Sequence, residues 1–259
     1  GTDLSQAING TTTFALNANS TIEVRTRNTS GPGKAGLLVT SSGTSTYANG
    51  SWDKAASYSA IQVNDNLNLA ADLTVCSCTV QAGKILTIEA DKSLVVLENI
   101  TVASGGQIIV ENNGSLVQIN DNATYTGATS SFLMKRDTQP LYRLDYTYWS
   151  SPITSSSGFT LEDLSPGTLA SKYYVWNDAW ASVPKTTVMA NGKGYIVRAP
   201  QSFDIQGQVG ATPEIYNSEF EGVPNNGVIT VAVSNTGLWN LIGNPYPSAI
   251  DISAFYDNL

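Results

Sequence analysis

Residues 78–99 read CTVQAGKILTIEADKSLVVLEN, and residues 100–121 read ITVASGGQIIVENNGSLVQIND, so one 22-residue unit is written twice in succession without a gap. The copies share Thr79/Thr101, Val80/Val102, Gly83/Gly105, Glu89/Glu111, Ser93/Ser115, Leu94/Leu116 and Val95/Val117. Three short apolar-rich segments begin at Cys78, Leu86 and Leu94, and again at Ile100, Ile108 and Leu116, with spacings of 8, 8 and 6. Between them stand Ala82-Gly83-Lys84, Asp91-Lys92-Ser93, Ser104-Gly105-Gly106 and Asn112-Asn113-Gly114, residue types that tolerate positive φ and close turns. A fixed period with turn chemistry at fixed offsets is the signature of a solenoid. One winding cannot bury its own apolar side chains, so each stacks on a neighbour at one strand spacing, roughly 4.8 Å. The repeat predicts a short parallel β-helix, three strands per 22-residue turn, with Leu86 beneath Ile108 and Leu94 beneath Leu116. Antiparallel hairpins in a sandwich would also place turn signals about every eight residues. They have no reason to preserve a gapless repeat across three strands.

Working outward, Ile61, Val63, Leu67, Leu69, Leu73 and Val75 continue the alternation upstream and predict a further, less regular winding. Trp52 before it is placed to cap the open end, where an uncovered rung would expose strand edges. Residues 1–48 alternate weakly and read as a lead-in β module, so the β-helix is expected over 49–122. Beyond it, over 123–259, aromatic density rises and strands come as hairpins. Tyr173–Trp176 and Ala179–Val183 flank Asn177-Asp178, Lys193–Arg198 follows Asn191-Gly192, and Val228–Val233 follows Asn225-Asn226-Gly227. That pattern predicts an antiparallel β-sandwich-like domain, ending in a short helix begun at Ile250-Asp251-Ile252-Ser253. Nothing caps that helix, so the last domain is expected to be truncated. The expected fold class is therefore all-β.

The composition narrows the function. Of 259 residues 41% are hydrophobic, enough for real cores, but only 13% are charged, about half the usual share. Ser, Thr, Asn and Gly must supply the polar surface, as in extracellular β-proteins. A net charge of −8 opposes binding to nucleic acid, which needs a basic footprint, and to anionic membrane surfaces. No stretch approaches the length of a membrane span and no signal peptide opens the chain, so Gly1 is expected to begin a mature or excised fragment. Cys76 and Cys78 lie two apart; a bridge across one residue is strained, and without histidine a zinc site lacks ligands. Buried free thiols are the reading.

The segments SLVQIND (115–121), KRDTQPLYRLDYTYWSSPI (135–153), NGKGYIVRAPQSF (191–203), FEGVPNNGVITVAV (220–233) and WNLIGNPYPSAID (239–251) closely resemble large secreted surface proteins of Bacteroidota, notably flavobacteria. The resemblance spans about 45–251. It implies a very long, repetitive cell-surface or released protein exported by the type IX secretion system, similar to gliding-motility adhesins. It supplies no catalytic motif; in those relatives the stretch matching 239–251 is followed by further strands and then a sorting domain, which are expected to lie outside this fragment.

The candidate sites follow from residue chemistry. Trp149, Trp176, Trp180 and Trp239, with Tyr146, Tyr148, Tyr173 and Tyr174, could form a stacking platform for sugars. Alternate strand residues face opposite ways, so at least half of these rings belong to the core. Asp65 in Asn64-Asp65-Asn66 and Asp121 in Asn120-Asp121-Asn122 sit in oxygen-rich loops that suit calcium, although one carboxylate each is few. No other cofactor is implied. β-Helices also host polysaccharide lyases and glycosidases, but Asp145, Asp163, Asp178, Asp204, Glu214, Glu219 and Glu221 show no spacing that converges, and the absence of histidine removes the usual general base. Lys135, Arg136 and Arg143 beside Asp137 and Asp145 read as solvated ion pairs. The resulting expectation is a non-catalytic structural or adhesive module, with glycan binding and glycan cleavage as the rivals. Its partners would be other segments of the same surface protein, or neighbouring copies joined by strand addition into a filament.

Overall fold

The computed structural model describes residues 43–234 and 239–256; the expected lead-in module over 1–48 lies almost wholly outside them. Thr40–Leu259 forms one compact unit. The described residues open with a hairpin, β1 (Thr44–Ala48) and β2 (Ser51–Trp52). It then winds three times through β3 (Ala60–Val63), β4 (Leu67–Leu69), β5 (Leu73–Val75), β6 (Ser77–Val80), β7 (Ile85–Ile88), β8 (Ser93–Val96), β9 (Ile100–Val102), β10 (Gln107–Val110) and β11 (Ser115–Gln118). A fourth winding begins with β12 (Tyr125–Thr126) and β13 (Phe132–Asp137). Each winding contributes one strand to each of three parallel sheets, in the orders β12-β9-β6-β3-β1, β13-β10-β7-β4 and β11-β8-β5. The solenoid is a parallel β-helix with three strands per turn, as the repeat predicts.

Its register also follows the repeat. Ile108 pairs with Leu86 and Leu116 with Leu94. The columns run Leu67–Leu86–Ile108–Phe132 in the second sheet and Leu73–Leu94–Leu116 in the third. In the first sheet the column is Ile61–Cys78–Ile100–Tyr125. Leu86, Leu94, Ile100 and Ile108 are all fully buried, each sealed by the rungs above and below. The backbone repeats with the sequence. Gly83 and Gly105 have φ of 68° and 71°, and Asp91 and Asn113 have φ of 59° and 63°, which is left-handed geometry that Gly, Asn and Asp reach most cheaply. At Gly106 the constraint is steric, because a Cβ there would lie 2.8 Å from the Gln81 carbonyl of the rung below.

Corner side chains tie one rung to the next. Asn66 Oδ1 accepts the Ile85 amide at 3.0 Å, Asp72 Oδ1 the Ser93 amide at 2.8 Å, Asn99 Oδ1 the Thr124 amide at 2.9 Å, and Asn112 Oδ1 the Asp137 amide at 3.1 Å. These bonds occupy backbone donors that a turn leaves without a ladder partner.

The parallel stacking does not stop at position 122. β12 lies on β9, and β13 lies on β10, carrying the coil to Met134. The pairs Ile100–Tyr125 and Ile108–Phe132 are 25 and 24 residues apart, so this last winding has lost the 22-residue period. At the other end Trp52, on the outermost strand, packs edge-on to Tyr47 with centroids 5.2 Å apart and is half-buried against the core.

After β13 the chain builds a four-stranded antiparallel sheet. It comprises β14 (Tyr146–Trp149), β15 (Tyr173–Trp176), β16 (Trp180–Ser182) and β17 (Tyr195–Arg198), in the order β14-β17-β15-β16. Between β14 and β15 lies the short helix α1 (Leu161–Leu164), whose Thr160 and Asp163 make a reciprocal capping box. β18 (Asn217–Glu221) then returns to pair antiparallel with β13, and α2 (Ile252–Tyr256) closes the described chain. Tyr173, Val175, Tyr195 and Val197 fill the inner face of the sheet against Leu161, Leu164 and Phe220. One cluster of buried side chains runs from Ile61 in the coil to Val197 in the sheet.

Two expectations need correction. Val228–Val233 forms no strand, although the residues alternate; Ile229 and Val231 lie over Gly192, and Val228 is 81% exposed. Arg136 is no solvated ion pair. Its guanidinium donates to the carbonyls of Gly114 at 2.7 Å, Lys135 at 2.7 Å and Glu111 at 3.2 Å, so it caps the last turn of the coil while Lys135 pairs with Glu111. Among the described residues no helix is long and apolar enough to cross a membrane.

Candidate functional site

The site is built on the four-stranded sheet, where the strand alternation sorts the aromatic residues by face. Trp149 pairs with Tyr195, which pairs with Val175. All three point inward, and the Trp149 ring packs on Phe220 with centroids 6.1 Å apart. Trp149 therefore leaves the expected platform and joins the core, as does Tyr173, whose hydroxyl donates to the Ser165 carbonyl at 2.6 Å.

On the opposite face Tyr148 pairs with Ile196 and Ile196 with Tyr174, while Trp176 pairs with Trp180 across the β15–β16 turn. Tyr146, Tyr148, Tyr174, Trp176 and Trp180 thus share the outward side. They touch in two groups: Tyr146 on Tyr174 at 6.0 Å, and Tyr148 on Trp180 at 6.3 Å with Trp180 edge-on to Trp176 at 5.1 Å. Tyr148 is 62% exposed and Trp180 43%. Partial burial, and after it the neighbouring Tyr174 hydroxyl, push the Tyr146 phenol above its usual range. The turn that sets this face has Asp178 at φ 57°, with the Asn177 amide donating to the Ala179 carbonyl at 3.0 Å.

Trp239 comes from a separate segment, 72% exposed. Its carbonyl accepts the Trp176 indole N–H at 2.9 Å, which anchors it beside the sheet. Of the four expected tryptophans the structure therefore brings together Trp176, Trp180 and Trp239. Between Trp176 and Trp239 opens a cleft of about 340 Å³, also lined by Asn177, Asn191, Lys193 and Asn240. Sequence reasoning passed over Lys193 and these amides; the Asn191-Gly192 turn signal marked the place without marking the function.

The two expected calcium ligands do not meet. Asp65 is at the corner between β3 and β4, where its carboxylate accepts the Asn49 amide at 2.7 Å and pairs with Lys84 at 3.1 Å. Those contacts hold its carboxyl below the usual range. Asp121 is exposed two rungs later, beyond β11. Among the described residues no group of three or more His, Cys, Asp or Glu side chains is arranged to hold a metal ion. Cys76 and Cys78 are both free. Cys78 belongs to the buried column of the first sheet, where burial pushes its thiol up to about 12.

A second cleft, about 510 Å³, carries the carboxylates Glu111, Asp137, Asp163 and Glu219. Three of them have structural partners. Glu111 holds Lys135, Asp137 accepts from the Asn217 side-chain amide at 2.8 Å, and Asp163 closes the capping box of α1. Asp145 and Asp204, elsewhere, accept the backbone amides of Tyr142 and Thr212.

No curated protein matches the chain, and no solved structure does. The family described as "Domain of unknown function (DUF8693)" matches residues 53–258, which takes in the three windings, the four-stranded sheet and the cleft, and the chain belongs to that family.

Proposed function

We propose that this chain is a non-catalytic structural and adhesive module of a large cell-surface protein, with the coil as spacer and the four-stranded sheet as contact surface. The observation that carries this reading is the outward face of that sheet, where Tyr146, Tyr148, Tyr174, Trp176 and Trp180 gather while the inner face is filled. Contiguous exposed aromatic surface on a soluble protein marks a contact site, and rings with a polar tip suit a wetted one. The coil supports a mechanical role, because its side-chain columns and corner bonds make each rung depend on its neighbours. The engagement of Glu111, Asp137 and Asp163 in structural contacts supports a role without catalysis. Placement outside the cell, on a protein exported by the type IX system, extends the resemblance of the 135–153 and 239–251 segments, and the low share of charged residues agrees with it. The partners are glycans or other copies of the surface protein, and no cofactor is required.

The test uses beads coated with the full chain and flowed over polysaccharide-coated glass. The wild type should be retained, and the double variant Tyr148→Ala/Trp180→Ala, changed only on the outward face, should lose most of that retention while melting at the same temperature. Equal retention of the two proteins refutes the reading.

A further inference from the structure

The cleft beside the aromatic face has an unusual third wall. From Val228 through Val233, no backbone N–H or C=O group has a hydrogen-bond partner among the described residues. The stretch is nevertheless seated, with Val231 and Ile229 laid over Gly192, where φ is 70° and an added Cβ would lie 2.3 Å from the Val231 side chain. Thr230, Val231 and Ala232 line the cleft together with Trp176 and Trp239. Residues with unpaired backbone donors and acceptors thus line the cleft together with two tryptophans. Asn177 adds a side-chain amide at the mouth, and the Lys193 ammonium, without an ion pair among the described residues, adds further donors. The volume of about 340 Å³ falls within the range of small-molecule sites.

A pyranose has the matching chemistry. Its C–H face stacks on an aromatic ring, and its hydroxyls both donate and accept, as an alternating backbone requires. We infer that this cleft binds the end of a saccharide chain, with Trp176 and Trp239 stacking on the ring and Asn177 and the 228–233 backbone meeting its hydroxyls. The inference rests on the adhesive reading and names its ligand class. The rival occupant of the same wall is a strand from a neighbouring copy, since an unpaired, charge-free, β-prone edge also invites strand addition.

The experiment is a calorimetric titration of the full chain with cellotetraose, laminaritetraose, xylotetraose, triacetylchitotriose and trigalacturonic acid, backed by saturation-transfer NMR. Saturable binding of at least one probe is expected. Trp239→Ala should weaken it about tenfold, the scale of one lost aromatic contact, and Asn177→Ala severalfold. Val209→Ala, at a fully exposed residue that does not line the cleft, should leave it within twofold, and because Trp239 is largely exposed its variant should melt like the wild type. Binding that ignores Trp239→Ala overturns the inference. If no probe binds but bead retention still depends on Tyr148 and Trp180, the cleft assignment falls and the adhesive reading stands; if retention is absent as well, both fall. Self-association that is concentration-dependent, abolished by Thr230→Pro and unaccompanied by sugar binding assigns the edge to strand pairing and also overturns the inference.

Discussion

Replacing Ile108 with Ala tests the coil at its centre. Ile108 is fully buried, with Leu86 paired below it and Phe132 above. Its neighbour Ile109 points to the outer face and pairs with Thr87 and Leu133. Removing the carbons beyond Cβ from Ile108 forfeits about 0.8 kcal/mol each in transfer free energy, so roughly 2.4 kcal/mol. A cavity term adds to this, because the ladders above and below hold Leu86 and Phe132 at fixed strand spacing and prevent the column from collapsing. The total should reach about 3–4 kcal/mol, within the range for Ile→Ala in cores. At about 2–4 °C per kcal/mol for a domain of this size, the midpoint should fall by roughly 6–16 °C. Ile109→Ala, one position along the same strand, should cost about 1 kcal/mol or less. Both are read by urea denaturation of the full chain with circular dichroism at two wavelengths, alongside calorimetry. Equal losses for the two variants, or a larger loss for Ile109→Ala, would refute the assignment of inward and outward faces and with it the stacked columns.

Asp72 gives a pH signature, since the Ser93 amide and hydroxyl hold its carboxyl below the ordinary value of 3.8. Its stabilising contribution is complete above that value and is lost as pH falls through the lower folded value, so Asp72→Asn, which keeps a neutral acceptor, should flatten the acid limb of a denaturation-midpoint profile measured below pH 4. Gly106→Ala should destabilise by about 1–3 kcal/mol in the same urea assay, because the new Cβ would press on the carbonyls of Gln81 and Ala103 at 2.8 and 3.0 Å, which are backbone and cannot swing aside. Cys78, fully buried with its thiol pushed up to about 12, should resist a thiol-reactive dye at pH 8 until the protein is denatured, whereas half-buried Cys76 should react slowly in the native state. Labelling of Cys78 at the same rate as Cys76 would contradict the packed first sheet.

The sequence made the coil legible where the repeat is strict, and for a physical reason: stacking rungs in register forces the same residue type onto the same column. Leu86, Leu94, Ile108 and Leu116 could therefore be paired before any coordinates. The pattern faded where the rungs change length. The first winding is set back 17 residues at Ala60–Ser77 and 21 at Leu73–Leu94, yet its alternation still marked it. The fourth winding, with Tyr125 and Phe132 as its inward residues, looked like the start of something new, because the turns before it had lengthened. Within the sheet, alternation placed Tyr174 and Trp176 opposite Tyr173 and Val175. It could not place Trp149, whose face depends on pairing with Tyr195, 46 residues away. Asn and Asp at the corners also serve the backbone, which their residue type alone does not separate from ligand binding: Asn66 and Asp72 each accept an amide from the next rung. The Val228–Val233 strand failed because propensity describes a backbone ready to pair and says nothing of whether a partner arrives.

β18 runs against the grain of the sheet it joins. Every other pairing in that sheet is parallel, and this one is antiparallel, from Leu133–Glu221 to Asp137–Asn217. A winding chain always lays its next strand in the same direction, so a reversed strand occupies the berth that the next lap needs. Its alternate side chains Glu219 and Glu221 add negative charge along the rim. At this end the fold thus carries its own terminator: the described coil stops where the returning chain lies antiparallel on β13.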